Sequence, residues 1–159
     1  METMNTEIRN TAKAVCYNDN NDILVLKKVY EDGSFVYTLP GGSQEPGESI
    51  ASALIRECEE EIAATVVPDQ LHYICEYIKT SRTPGIPLRH KVEFGFRCTL
   101  PAGYTPQMGL RPDSHQAEVL WLSPEQLRTS TCTPDSLALC IAPHARIPFI
   151  HSDAMITNP

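Results

Sequence analysis

Four glutamates lie within five positions of the segment "RECEEEI", beside a single cation, Arg56. On a helix that turns by about 100° per residue, Glu57, Glu60 and Glu61 share one face, whereas Glu59 points to solvent. Their repulsion is weak in water but grows at the edge of a core, where the dielectric is lower. Either the carboxylates take up protons or a divalent cation lies among them. Oxygen ligands at this density favour Mg²⁺ or Mn²⁺ over zinc.

The helix that positions these carboxylates is predicted from Ser49, its N-cap, to about Ile62. Its apolar stripe, which is expected to be buried, consists of Ala51, Ile55, Cys58 and Ile62. The carboxylate face lies beside this stripe, so the glutamates are expected where the core meets solvent. Taken alone, a glutamate triplet is more often a solvated acidic face.

The spacing around the triplet changes that interpretation. Counting from Gly42, five residues lead to Glu48, and seven more lead to the run R-E-x-x-E-E that starts at Arg56. This pattern resembles the signature of the Nudix hydrolases, G-x5-E-x7-R-E-U-x-E-E-x-G-U, in which U is an aliphatic residue. The resemblance covers the signature itself and the strands placed before and after it.

Three positions depart from the signature. Ala63 stands where the family has its late glycine, and Cys58 and Ala64 occupy the aliphatic positions. A glycine at position 63 would end the helix in a left-handed conformation. Alanine either takes that geometry, at a cost of about 1 kcal/mol, or lets the helix run further. Cys58 faces the core and is expected to act as a small hydrophobic residue.

The resemblance implies an enzyme that hydrolyses the pyrophosphate bond of a nucleoside diphosphate linked to another group. ADP-ribose or a nucleotide sugar is the preferred substrate class on general resemblance, and nucleoside triphosphates are next. Water must attack an anion in this reaction, so catalysis requires neutralised charge and an activated nucleophile. Divalent metals supply both, and Mg²⁺ (or Mn²⁺) is the expected cofactor.

The resemblance also assigns roles to individual residues. It implies that the metal is bound by Glu57, Glu60, Glu61 and the backbone carbonyl of Gly41. One of Glu60 and Glu61 is expected to deprotonate the attacking water. Arg56 is expected to orient the site by pairing with a ligand carboxylate or with Glu48, which fixes the loop geometry.

Weaker candidates lie outside the signature, and each has an ordinary structural alternative. Glu118 stands where some relatives of the family supply a further metal ligand or base, and it is otherwise an exposed strand residue. Glu93 is a similar candidate on a strand face that it shares with Lys91 and Gly95. The aromatic residues that could stack on a base, unless they pack in the core, are Tyr37, Phe94 and Phe96. Arg82 and Arg89 flank a loop. They are expected either to contact substrate phosphates or only to keep the protein surface soluble.

Apolar runs predict strands at residues 11–17, 23–29, 35–40, 71–79, 90–100 and 117–122. The first two are expected to form a hairpin through the linker "NDNND". Short helices are predicted from Ser123, with Pro124 in the first turn, and from Pro134 to Ala142. The tail from residue 142 is expected to be partly disordered. These elements indicate an α/β or α+β domain, and the resemblance implies a mixed β-sheet sandwich flanked by helices.

The composition limits the other possibilities. The 159 residues suit a single domain, predicted to span 1–159 with its core at about 10–142. A net charge of −7 argues against a nucleic-acid surface. The resemblance implies a small nucleotide as the partner instead. Six scattered cysteines, with no signal segment or membrane span recognised, predict reduced thiols in a cytoplasmic protein. A homodimer is compatible with the sequence.

Two other functions are compatible with the signature. A nucleotide-sugar sensor would bind its ligand without cleavage, although such domains usually lose the signature glutamates that this chain retains. An RNA decapping enzyme would share the signature but needs a basic path for the RNA, which the net charge of −7 disfavours.

Overall fold

The computed structural model describes residues 4–80 and 85–151, with side chains from residue 7 onward. Within these ranges the strands are β1 (Met4–Val15), β2 (Ile23–Val29), β3 (Phe35–Thr38), β4 (Gly41–Ser43), β5 (Val67–Lys79), β6 (Leu88–Thr99), β7 (Gln116–Leu122) and β8 (Phe149–His151). The helices are α1 (Ile50–Ile62), α2 (Pro124–Arg128) and α3 (Leu137–Ile141). The chain thus follows the predicted alternation of strands around one long helix.

The strands form two sheets. The larger sheet has the order β4-β1-β6-β5-β8, and the smaller has the order β3-β2-β7. The larger sheet is mixed, because β1 pairs with β6 and β5 with β8 in parallel, whereas β5 and β6 are antiparallel. One core cluster contains side chains from both sheets, which therefore pack together as a sandwich. The predicted α+β sandwich flanked by helices is confirmed.

Strands β1 and β2 are buried on both faces because each has sheet neighbours on both sides and packing partners above and below. In β2, Ile23 and Val25 join the cluster that also contains residues of α2 and α3. Leu24 and Leu26 join a second cluster, which lies against α1. Continuous apolar runs, rather than alternating ones, suit strands that are covered on both faces.

The predicted hairpin between residues 11–17 and 23–29 is wrong. In the described ranges a single bridge, Tyr17 to Ile23, joins the two segments. The turn itself forms, since the Asn18 N–H donates to the Asp22 carbonyl (3.1 Å). Beyond it, however, β1 enters the larger sheet and β2 the smaller one. Because both runs are apolar on both sides, separate sheets can cover each strand above and below.

Helix α1 begins where the sequence predicts. The Ser49 hydroxyl accepts a hydrogen bond from the Ser52 N–H (3.0 Å), which makes Ser49 the N-cap. The helix ends at Ile62, and Ala63 follows in the left-handed conformation (φ 53°, ψ 37°). The helix therefore does not run further past the position where the family has its glycine. Instead, Ala63 takes the strained left-handed geometry, at a cost of about 1 kcal/mol.

The buried face of α1 is rotated from the predicted stripe. The buried residues of the helix are Ala53, Leu54, Cys58, Glu61 and Ile62. Ala51 and Ile55, which the prediction placed in the stripe, are only partly buried, and Glu59 is exposed as predicted. The rotation carries Glu61 from the edge of the core into the interior. One of the three carboxylates is therefore buried rather than only adjacent to the core.

The chain beyond residue 142 returns to the larger sheet. Strand β8 pairs in parallel with β5, where Phe149 lies opposite Ile74. Ile150 is buried in the cluster between the sheets. The core therefore extends past its predicted boundary near residue 142, and the predicted disorder of the tail is wrong for β8. Residues 152–159 of that tail lie outside the described residues.

The six cysteines are all free, and Cys132 alone among them is partly exposed. This state agrees with the predicted reduced thiols. Within the described ranges, no helix is both long enough and apolar enough to cross a membrane.

The left-handed Ala63 gives a test of the helix end. Ala63→Gly should raise the free energy of unfolding by about 0.5–1 kcal/mol, because glycine takes this conformation without strain. The control Ala51→Gly, within the same helix, should lower it by about the same amount. Urea unfolding monitored by circular dichroism measures both changes. A loss of stability in Ala63→Gly would contradict the left-handed end.

Candidate active site

The three glutamates of the α1 face line one cleft of about 310 Å³. Residues of β1 to β6 and of the loop before β7 form its other walls. Its carboxylates within the described ranges are Glu57, Glu60, Glu61 and Asp113. Its cations in those ranges are Lys13, Lys28, Lys79, Arg89, Lys91 and Arg111. The fold thus brings an acidic helix face against a larger set of cations.

Arg56 joins the helix to the loop that precedes it. Its Nη2 donates to Oε1 of Glu48 (2.8 Å) and to the Ser43 carbonyl (3.1 Å). Its Nη1 donates to Oε1 of Glu57 (3.0 Å) and lies 3.7 Å from Oε1 of Glu60. The hydrogen bonds with Glu48 raise the pKa of Arg56 and lower the pKa of Glu48. Arg56 therefore pairs with Glu48 and with two cleft carboxylates at once, and it orients both.

Two glycines of β4 allow close packing, Gly41 against β1 and Gly42 against α1. Gly41 has φ +133° and lies opposite Lys13 in the β1–β4 pair, where a Cβ would overlap the backbone of Ala12. Gly42 packs on α1, and a Cβ there would overlap the carboxyl group of Glu57. Glycine at position 42 therefore leaves a space that the Glu57 carboxylate fills.

Glu61 is the most buried of the carboxylates that line the cleft, with 5% of its surface exposed. Its Oε2 accepts a hydrogen bond from the Gly41 N–H (2.9 Å). Burial raises the pKa of Glu61 to about 7, although Lys13 and the Gly41 N–H favour the charged form. A cation beside this carboxylate would offset the cost of its burial.

The loop between β6 and β7 fixes the last turn of α1. The Gly109 N–H and Nε2 of Gln116 both donate to the Glu61 carbonyl (2.9 and 2.8 Å). The Arg111 N–H donates to the Glu60 carbonyl (3.0 Å). A Cβ on Gly109 would overlap the same Glu60 carbonyl. These donors satisfy carbonyls that a helix end leaves without partners, and they fix the backbone that carries both glutamates.

Two lysines of the cleft have defined partners. Nζ of Lys13 donates to the carbonyls of Leu39 and Gly41 (3.1 and 3.2 Å). Lys28 forms an ion pair with Asp113. Burial alone would raise the pKa of Asp113, but the charge and hydrogen bond of Lys28 lower it to about 2. Lys13 thus occupies the Gly41 carbonyl that the resemblance assigns to a metal ion.

The donor atoms of the cleft fit a hard divalent cation. The carboxylates of Glu57, Glu60 and Glu61 and the carbonyl of Gly41 are all oxygen ligands, which Mg²⁺ and Mn²⁺ prefer. The space that position 42 leaves for the Glu57 carboxylate is part of this fit. In the part of the chain that is described, however, no three acidic, histidine or cysteine side chains are grouped to hold an ion. Because Arg56 engages Glu57 and lies near Glu60, metal binding requires side chains to shift.

Two carboxylates of the weaker set lie away from the cleft. Glu118 is exposed on β7 opposite Lys27 and does not line the cleft. Glu93 is fully buried and accepts hydrogen bonds from the hydroxyls of Tyr73 (2.7 Å) and Tyr77 (3.1 Å). The structure does not bring either carboxylate to the cleft lining, and their roles as a further ligand or base stay predictions.

The predicted aromatic platform is also absent from the cleft lining. Tyr37 packs against the cluster between the sheets, and Phe96 packs against the cluster under α1. Phe94 is half-buried and does not line the cleft. Of the two loop arginines, Arg89 lines the cleft, whereas Arg82 lies outside the described residues. Tyr37 and Phe96 follow their structural alternative, whereas Phe94 and Arg89 stay substrate candidates that no observation tests.

The sequence predictions missed most of the cations. Lys13 and Lys28 interrupt the apolar runs "TAKAV" and "VLKKV". By strand alternation, Lys79 shares a face of β5 with the buried Tyr77, and Lys91 shares a face of β6 with the buried Glu93. A charged residue at an inward position of a strand needs a counter-charge or a ligand, so this signal was present. Arg111 lies in a loop rich in proline and glycine, where no periodicity identifies it.

The raised pKa of Glu61 predicts how stability depends on pH. The pKa near 7 exceeds the ordinary 4.5, so the folded state binds the proton more tightly. Stability should therefore fall as pH rises from about 4.5 through 7, by about 1–3 kcal/mol in all. In metal-free protein, Glu61→Gln should remove this loss and Glu59→Gln should retain it. Urea unfolding from pH 5 to 8 measures the free energy of unfolding. If it fell with pH equally in the wild type and in Glu61→Gln, the raised pKa of Glu61 would be contradicted.

The chain matches the NUDIX domain family over residues 7–139. It is similar to a MutT NUDIX hydrolase from Burkholderia pseudomallei (22% identity, TM-score 0.60), over 84% of this chain and 96% of that one. It is also similar to an ADP-ribose pyrophosphatase from Streptococcus suis (20%, TM-score 0.57), over 90% and 98% of the two chains. A structure of UDP-X diphosphatase (17%, TM-score 0.59) matches over 93% and 69%. No curated protein sequence matches.

At these identities the structural matches establish the fold alone. The family match is independent of them and spans most of the chain, including the whole of α1 and the glycines before it. The chain therefore belongs to the Nudix family, a membership that supports pyrophosphohydrolase activity.

Proposed function

We propose that the protein is a Mg²⁺-dependent hydrolase that cleaves the pyrophosphate bond of a nucleoside diphosphate linked to another group. The observation that carries this proposal is one cleft with two opposed linings, three glutamates of a single helix and a set of lysines and arginines. Hydrolysis of a pyrophosphate needs both linings. The cations neutralise its negatively charged oxygens, and the carboxylates, with a metal ion, activate the water that attacks its phosphorus. Membership of the Nudix family supports the same reaction.

The metal would be held by Glu57, Glu60, Glu61 and the carbonyl of Gly41. When bound, Mg²⁺ or Mn²⁺ supplies charge neutralisation and a more acidic water. Lys13 donates to the same Gly41 carbonyl, so it keeps that oxygen oriented towards the cleft. If a metal ion took that oxygen, the amine would be free to face a phosphate oxygen.

The other residues of the site position the metal ligands or transfer a proton. Arg56 keeps Glu57 and Glu60 on the cleft side of the helix, because its guanidinium bridges them to Glu48. Glu61 is the better placed of the two candidate bases, since it is the more buried of the two and its Oε2 is held by the Gly41 N–H. A base held within reach of the attacking water can accept its proton. Glu60, which is less buried, binds and orients.

The substrate class follows from the family and from the structural neighbours. One neighbour is named an ADP-ribose pyrophosphatase and another a UDP-X diphosphatase, which supports a nucleoside diphosphate with a further group attached. ADP-ribose, nucleotide sugars and nucleoside triphosphates all meet that description. A nucleotide sensor without catalysis remains the outcome if ligands bind but no product forms.

A substrate panel with matched variants tests this function. In the presence of Mg²⁺ or Mn²⁺, the wild type should release nucleoside monophosphate from at least one member of the panel. Glu61→Gln should lower kcat by about 10² or more with the fold intact, because a charge at the reacting centre is lost. Glu59→Gln, which changes an exposed residue of the same helix, should stay near wild type. Near-normal turnover in Glu61→Gln would refute the role given to Glu61.

Gly42 offers a test of the metal site that needs no substrate. Gly42→Ala should weaken Mn²⁺ binding by about tenfold or more, because the new Cβ displaces the Glu57 carboxylate from its place. Electron paramagnetic resonance of free Mn²⁺ measures this affinity. Glu59→Gln is the matched control, since Glu59 is an exposed residue of the same helix. Equal affinities in the two variants would contradict the proposed donor set.

Three broader expectations stay predictions. Residues 1–159 are proposed to form one domain, to work in the cytoplasm and to associate as a homodimer. Free cysteines support a reducing compartment. The molar mass in solution tests the homodimer.

A further inference from the structure

Three cations form a continuous surface on β5 and β6, on the side of the cleft away from α1. Lys79 lies directly opposite Arg89 in the antiparallel pair, and Lys91 lies opposite Tyr77. All three side chains line the cleft, and we call them the cationic wall. Like charges directly opposite each other destabilise a sheet, so the wall needs a compensating anion.

Among the described residues, no carboxylate forms an ion pair with the side chains of the cationic wall. Within residues 7–80 and 85–151, Lys13 and Lys28 have carbonyl and carboxylate partners, whereas the described contacts give the side chains of Lys79, Arg89 and Lys91 no hydrogen bond or ion pair. Glu93 shares the strand face of Lys91, but its oxygens are taken by tyrosine hydroxyls.

The electrostatics of the wall agree with a missing partner. Burial and the neighbouring amine of Lys28 lower the pKa of Lys79 to about 8. Burial and the neighbouring amine of Lys79 lower the pKa of Lys91 to about 7. Asp113 acts to raise the pKa of Lys79 and Glu93 that of Lys91, but burial and the neighbouring amines outweigh both carboxylates. The cleft as a whole has more cations than carboxylates in the described ranges, although the chain carries a net charge of −7.

The charge and the hydrogen-bonding capacity of the three cations indicate which kind of anion fits the wall. A phosphate inside a diphosphate bridge carries about one charge, whereas a terminal phosphate carries about −1.5 to −2 at pH 7 and offers three acceptor oxygens. Three adjacent cations match the second group in charge and in hydrogen-bonding capacity. A sugar at this place would set neutral hydroxyls against desolvated cations and leave their charge unpaired, which disfavours that ligand.

We propose that Lys79, Arg89 and Lys91 bind the free terminal phosphate of the substrate, so the enzyme prefers a phosphate chain that ends in a phosphate. A nucleoside triphosphate has this chemistry, and ADP-ribose or another sugar-capped diphosphate lacks it. This inference rests on the proposed function, because it places the pyrophosphate bond between the glutamates and the wall. It reverses the preference for sugar-capped substrates that general resemblance suggests.

Steady-state kinetics on ATP, ADP-ribose and ADP-ribose 2′-phosphate tests the substrate class. The ratio of kcat/KM for ATP to that for ADP-ribose should exceed about tenfold in the wild type and fall by about tenfold in Lys91→Gln or Lys79→Gln, since a charged hydrogen bond is lost. Lys91→Arg should recover most of the ratio. Lys27→Gln removes a lysine that lies over the Phe35 ring (4.4 Å) and should leave the ratio unchanged. A preference for either ADP-ribose compound would overturn the inference.

A binding measurement without metal separates this inference from the proposed function. Inorganic tripolyphosphate, titrated calorimetrically in the presence of EDTA, should bind the wild type and Lys27→Gln alike and Lys91→Gln about tenfold more weakly. If Lys91→Gln weakens tripolyphosphate binding but no nucleotide of the panel is cleaved, the phosphate-binding role of the wall is supported and the proposed hydrolase activity is refuted. If nucleotides are cleaved but Lys91→Gln and Lys27→Gln bind tripolyphosphate equally, the hydrolase activity is supported and the phosphate-binding role of the wall is refuted. Thermal melting confirms that each variant is folded.

Discussion

The burial of one carboxylate at the end of α1 is the constraint on which the site depends. Glu61 is 5% exposed and accepts one backbone hydrogen bond, from Gly41, which compensates only part of the free energy lost on leaving water. The local architecture supports it from several directions. Gly41, with φ +133° and no side chain, lets β4 pack closely on β1. Gly109 of the loop before β7 and Gln116 of β7 both donate to the Glu61 carbonyl. A backbone held this firmly keeps the carboxylate in the cleft, whether or not a cation neutralises it.

The second determinant of the site is the separation of opposite charges across the cleft. Arg56 donates a hydrogen bond to Glu57 and lies 3.7 Å from Oε1 of Glu60. The lysines of the strands lie on the other walls of the cleft. The two sets therefore do not cancel each other by direct pairing, apart from Lys28 with Asp113. A metal ion on one side and phosphate oxygens on the other would neutralise both sets together. Preorganised charges of this kind act without reorganisation when the reaction occurs.

Local spacing made much of the site predictable from the sequence. The N-cap at Ser49, the outward Glu59 and the pairing of Arg56 with Glu48 follow from residues close together in the chain. Long-range pairing was not predictable: β1 binds β6 instead of the adjacent β2. The cationic wall depends on the register of two strands that are joined by a loop, and that register cannot be read from either strand alone. The rotation of α1, which buries Glu61, depends on how the two sheets meet beneath it.

A divalent ion should bind between the α1 carboxylates and the phosphate-facing cations. A crystal structure with Mn²⁺, examined by anomalous scattering, would locate this ion. We expect an anomalous peak bounded by carboxylate oxygens of Glu57 and of Glu60 or Glu61, with Arg56 still bound to Glu48. Saturating Mn²⁺ with no peak in the cleft, and the glutamate side chains turned into bulk solvent, would contradict it.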